Sequence, residues 1–172
     1  MRTKEWLDAI IDKGVLCDEY KDKVQKALNK KELMDIVLDA NGVSWIPEQI
    51  YKKRGLDYDT ICEEFGAFIN GKYKAEYRDN DGKGYTSSMY VRQTDEIIVD
   101  TTLCCLMDIV GRVRISENNV AKIYLDQNCD IEIDVPESSK CIVYYFVGAK
   151  IRNFKQLKKH HGVYVWEWKE GD

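Results

Sequence analysis

Asp130, Glu132 and Asp134 alternate with Cys129, Ile131, Ile133 and Val135, so a strand over 129–135 sets three carboxylates along one face. Such a row could hold a metal ion or do acid/base work. Neighbours on one strand face stand about 6.5–7 Å apart, whereas a hard cation needs oxygens converging to about 2.1–2.6 Å from it. Three in a row cannot converge unaided, and the pattern predicts a solvated edge strand that its charges keep from pairing. The following segment, Cys141–Val147, is apolar throughout. With 136–139, "PESS", as a hairpin turn, the acids fall opposite Cys141, Val143 and Tyr145. Val143 and Tyr145 then form an apolar row to be covered by the sheet's other neighbour, by N-terminal helices or by another subunit.

Other chemistry-bearing stretches are less complete. "DNDGKG", Asp79 to Gly84, begins like a calcium loop, but Lys83 takes the fifth ligand place and Tyr90 the twelfth, so a polar hairpin turn is expected. "EWK", Glu167 to Lys169, matches half of a metal-dependent nuclease core without the upstream aspartate and following helix that such a site needs. His160 and His161 are the only histidines, and there is no GxSxG, P-loop or GxGxxG. The expectation is no enzyme, no cofactor and no metal.

Two stretches suit binding instead. "GAKIRNFKQLKKHHG" carries Lys150, Arg152, Lys155, Lys158 and Lys159 without one acid, a patch that could meet phosphate or an acidic protein face. Tyr164, Trp166 and Trp168 share one face of a final strand and offer stacking surfaces for sugars, bases or protein, with core packing as the competing explanation.

The elements that must position these residues fall into two regions. Residues 1–71 read as short amphipathic helices. Trp6, Leu7, Ile10 and Ile11 form the first stripe, and Asn29 with Glu32 caps a second helix that "ANG" closes at Asn41 and Gly42. A third carries Pro47 in its first turn, and a fourth is capped by Asp57 or Asp59 and ended by Asn70 and Gly71. Over residues 72–172 the period becomes alternating. Strands are expected at 73–77, 85–91, 96–99, 112–115, 121–125, 129–135, 141–147 and 163–168, with "TTLCCLMDIVG" open between strand and helical turn. No internal repeat stands out, which argues against a solenoid. The fold expected is α+β: short N-terminal helices followed by an antiparallel β-sandwich-like body.

The chain has 172 residues, 44% of them apolar, which suffices for a core. A net charge of −4 gives no overall pull toward nucleic acid or anionic membrane. Neither a secretory signal nor a membrane span is read, so no membrane partner is expected. The six cysteines form no CxxC pair and read as packed thiols.

"ANGVSWIPEQ", "FGAFINGKYKAEY", "GKGYTSSMY" and "NCDIEIDVP" resemble segments of uncharacterised proteins encoded by phages and mobile elements of anaerobic gut bacteria. The likeness lies within about residues 40–150. It implies a virion component or a host-directed interaction module, made in the host cytoplasm and carried in the virion if part of a particle. The functional reading is a non-enzymatic structural or interaction protein, a phage virion component that acts through assembly with protein partners or as a homo-oligomer. The alternative is a carbohydrate- or nucleic-acid-binding module using the C-terminal aromatic strand or the basic segment.

Overall fold

A computed structural model describes residues 16–169, together with Glu5 and Asp8. The helix expected around Trp6–Ile11 lies outside the described residues. Four short helices follow: α1 (Asp18–Lys26), α2 (Lys30–Val37), α3 (Gly42–Tyr51) and α4 (Tyr58–Phe65). Their starts are written in the side chains. Asn29 accepts from the Glu32 N–H at 2.9 Å while Glu32 reaches back to the Leu28 N–H at 2.7 Å, and Asp57 accepts from the Thr60 N–H at 2.7 Å. Gly42 opens α3 instead of closing α2, and Pro47 therefore sits inside α3 rather than in its first turn. Asp39 takes the N–H groups of Asn41 and Gly42 at this corner, where a Cβ on Gly42 would lie 2.2 Å from the Val37 carbonyl oxygen.

Ten strands follow: β1 (Ala75–Arg78), β2 (Gly84–Val91), β3 (Ile97–Val99), β4 (Leu103–Met107), β5 (Val110–Ile115), β6 (Val120–Leu125), β7 (Asp130–Asp134), β8 (Lys140–Phe146), β9 (Lys150–Ile151) and β10 (Val163–Trp168). A single turn of helix, α5 (Phe154–Leu157), precedes the last strand. The strands form two sheets, one in the order β1-β2-β4-β6-β8-β10 and the other β3-β5-β7-β9. Among the described residues only β1 and β2 pair antiparallel; every other pairing is parallel.

This arrangement is a β-solenoid, not the antiparallel β-sandwich expected from the sequence. From β2 onward, each strand of one sheet is followed by a strand of the other, and the chain then returns to pair with its own previous coil. The intervening strand supplies the long crossover that parallel neighbours require. Four coils result: β2–β3, β4–β5, β6–β7 and β8–β9. "TTLCCLMDIVG" contains a fully buried strand, β4, sandwiched between the solenoid interior and the helices.

Inside, like stacks on like in apolarity if not in identity. Cys104, Ile123, Val143 and Val165 share one register position across four strands, as do Leu106, Leu125 and Tyr145, a row that ends on β10 at the exposed Glu167. The facing sheet contributes Ile97, Val113 and Ile133 in one row and Ile131 beside Ile151 in another. Fully burying each such aliphatic side chain is worth about 1.5–3 kcal/mol. Leu157 of α5 is buried against this core at its C-terminal end. The helices pack on the outer face of the larger sheet, where Leu33, Met34, Ile46, Ile61 and Phe65 share a second core with Met89, Leu103, Cys105 and Met107.

Side chains lock coil to coil at the corners. Asn119 donates to the carbonyls of Val99 (3.2 Å) and Thr101 (3.1 Å), and Ser139 to that of Ser116 (2.7 Å). Asn153 imitates a strand beside β7, accepting from the Ile133 N–H and donating to its carbonyl. Cys104, Cys105, Cys129 and Cys141 are buried free thiols in these layers, and burial pushes Cys104 and Cys141 each up to about 12.

Candidate functional site

The carboxylates of Asp130, Glu132 and Asp134 stand on β7, which is an interior strand of its sheet, not an edge. Their neighbours are basic. Arg112 and Arg114 on β5 reach Glu132 (3.1 Å) and Asp134 (3.7 Å), and Arg152 after β9 reaches Asp130 at 2.8 Å. The Arg152 guanidinium holds the Asp130 carboxyl below the usual range. The row is thus one column of a charge ladder across parallel strands, and the opposite-charge pairing stabilises the register. The expected hairpin with β8 does not form, because the chain crosses to the other sheet at 136–139. Among the described residues, no three His, Cys, Asp or Glu side chains converge on a point that could hold a metal ion. "DNDGKG" forms the tip of the β1–β2 hairpin, with the Asp79 carboxylate accepting from the N–H groups of Asp81 (3.0 Å) and Lys83 (2.7 Å).

The apolar row of β8 has a different fate from the one expected. Val143 is fully buried inside the solenoid, and Tyr145 is half-buried with its ring edge-on to Phe154 of α5. This chain's own opposite sheet covers Val143, and α5 packs on Tyr145. Lys150, Lys155, Lys158 and Lys159 are exposed at the C-terminal end of the smaller sheet, where Lys158 lies over the Phe154 ring. Arg152 is engaged by Asp130.

The aromatic strand does open a surface. The outer face of the larger sheet is covered by helices over β2 and β4, with α3 extending toward β6 and reaching Phe146 of β8 through Tyr51; among the described residues no helix covers it beyond. Parallel pairing without slippage puts Tyr124, Tyr144 and Trp166 at one register position, and Lys122, Ile142 and Tyr164 at the next. Tyr124 and Tyr144 stack with ring centroids 5.1 Å apart and planes 11° from parallel, and burial raises the Tyr124 phenol above its ordinary range. Trp166 is 58% and Tyr164 60% exposed, values that core packing does not produce. Trp168 is half-buried against Phe146, which in turn meets Tyr51 at the end of α3; these three form a wall where the helices stop. The result is an aromatic shelf rising from the helices to the last rung. Of the residues singled out in the sequence, Tyr164, Trp166 and Trp168 belong to it, and the basic segment does not. Tyr124, Tyr144, Phe146 and Tyr51 complete it; the spacing of Tyr124, Tyr144 and Trp166, 20 and then 22 residues, is the sequence signal that marks the row.

Two other places hold chemistry-bearing groups. Asp126 is fully buried at the corner between β6 and β7, accepting from the Tyr58 hydroxyl, the N–H groups of Asp108 (3.0 Å) and Asn128 (3.2 Å), and the Cys129 thiol (3.4 Å). Four donors converge on this one carboxylate, so the cluster fastens a corner. A cavity of about 360 Å³ lies among α1, α2 and α3, lined by apolar groups including Val24, Val37 and Trp45.

Compared with protein-family models, with curated proteins and with solved structures, the chain finds no match. The shelf is therefore read from its own chemistry. Among the described residues no helix is long and apolar enough to cross a membrane.

Proposed function

We propose that the protein is a non-enzymatic binding module that lays a glycan chain along the shelf of Tyr124, Tyr144, Tyr164 and Trp166. The observation that carries the reading is the exposure of Tyr164 and Trp166 in register with a stacked tyrosine pair on a rigid parallel sheet. A pyranose ring has an apolar C–H face suited to an aromatic ring and a rim of hydroxyls, for which the tyrosine hydroxyls and exposed Lys122 stand nearby. Nucleic acid is the weaker reading. Stacking on single strands is accompanied by cations tracking the phosphates, but the basic segment starts in the other sheet at β9 and runs through α5. The resemblance of several segments to phage-encoded proteins supports a virion or host-directed component whose target is a cell-surface polysaccharide.

Titration with bacterial polysaccharides and a glycan array, followed by tryptophan fluorescence, tests this. Binding should survive high salt, since stacking lacks the counterion release of phosphate contacts. Trp166→Ala should weaken it roughly tenfold or more, the equivalent of about 1.4 kcal/mol of lost stacking. Absence of glycan binding, or binding indifferent to Trp166→Ala, would remove the proposal.

A further inference from the structure

β10 ends its sheet, and among the described residues no strand pairs with its outer edge. The edge is six residues long, and its outward side chains are Tyr164, Trp166 and Trp168. An edge of this length and apolarity is a template for another strand unless something blunts it. Gly162 accepts from the Cys141 N–H at 2.8 Å, which fixes the phase of the parallel ladder. Tyr164, Trp166 and Trp168 turn their N–H and C=O groups toward β8, whereas Val165 and Glu167 turn theirs away, toward the open side.

We propose that two copies of this chain associate through β10, antiparallel about a twofold axis at Val165. This does not depend on the glycan reading. Val165 then exchanges both N–H···O=C bonds with the partner's Val165, and the Glu167 N–H donates to the partner's Val163 carbonyl, the Val163 N–H being held by the His160 carbonyl at 3.2 Å. Tyr164 meets the partner's Trp166 at non-hydrogen-bonded positions, where side chains approach closest, and symmetry repeats the pair. Charge selects the same arrangement. Centring on Glu167 would set two carboxylates opposite each other, and centring on Trp166 would leave them diagonal neighbours. Centring on Val165 separates them and directs each Glu167 toward the basic Lys158–His161 stretch of the other copy, just ahead of β10. The two shelves then become one continuous surface across the axis.

Sedimentation of the full chain over a concentration series should show a dimer. Val165→Pro deletes an N–H that faces away from β8, a kind of strand position where proline spares the chain's own ladder, so this variant should sediment as a folded monomer with unchanged circular dichroism. In a Cys17→Ser background, Tyr164→Cys with Trp166→Cys should give a reducible dimer on mild oxidation. Wild-type protein that stays monomeric at every concentration, a dimer that persists in folded Val165→Pro, or no cross-link in the double cysteine variant would each overturn the proposal. If Val165→Pro does not fold, the cross-link decides. Glycan binding by the Val165→Pro monomer keeps the two readings apart, because the shelf remains in each protomer.

Discussion

The Tyr58 hydroxyl, on the first residue of α4, donates to the buried carboxylate of Asp126, 68 residues further along the chain at a corner of the solenoid. Arg92 adds a second tie on the same side, bridging Asp59 of α4 and Asp108. Tyr58→Phe leaves one acceptor of Asp126 unpaired while keeping the ring. Because a hydrogen bond to a charged group is worth about 1.5–3 kcal/mol, urea unfolding should show a loss in that range. A loss confined to the helices, seen as selective proteolysis of residues before 72, would show that the two layers separate before the solenoid opens.

Asp126 also sets a pH dependence. Burial holds its carboxyl above the ordinary range, although Tyr58, the N–H groups of Asp108 and Asn128, and Cys129 all pull it down. The folded chain therefore binds this proton more tightly than the unfolded chain does. Asp126 contributes most when protonated, below the unfolded value, and this contribution is lost as pH rises through the raised folded value and is flat above it. Subtracting the stability profile of Asp126→Asn from that of the wild type should reveal this falling step. A difference that rises with pH would mean that the hydrogen bonds outweigh burial.

Ile123 sits mid-stack in the solenoid, whereas Ile98 points outward from β3 and is 55% exposed. Ile123→Ala should cost about 2–5 kcal/mol through lost burial and the cavity left behind. Ile98→Ala should stay within about 0.5 kcal/mol. Chemical denaturation of both variants checks the assignment of faces, since a one-residue shift in register would exchange the two results.

Much of this was legible one strand at a time. The alternation that predicts strands at 121–125, 129–135 and 163–168 is present, as are the caps at Asn29 and Asp57. Alternation fixes which side chains share a face but not which strand lies alongside, and hairpins and solenoid coils use turns of similar length. The repeat is faint in the sequence because its positions share only burial: Cys104, Ile123 and Val143 are three residue types at 19- and 20-residue intervals. β4 was ambiguous because apolar contact on both faces erases the alternation. Tyr164 and Trp166 were legible as a pair, but Tyr124 and Tyr144 join them only once parallel register is known. The acids of β7 suggested an edge because their compensating arginines lie about 20 residues away in both directions, on β5 and after β9.

Because each coil rests on the one before it, the molecule can grow by whole units. Residues 120–139 enter and leave in register with their neighbours, Val120 beside Lys140 and Arg114 beside Asp134. A tandem copy of this segment would bring its own column of acids, its own interior isoleucines and another tyrosine beside Tyr124. The length of the outer face thus becomes a heritable variable, set by the number of coils and adjustable without redesign of either end.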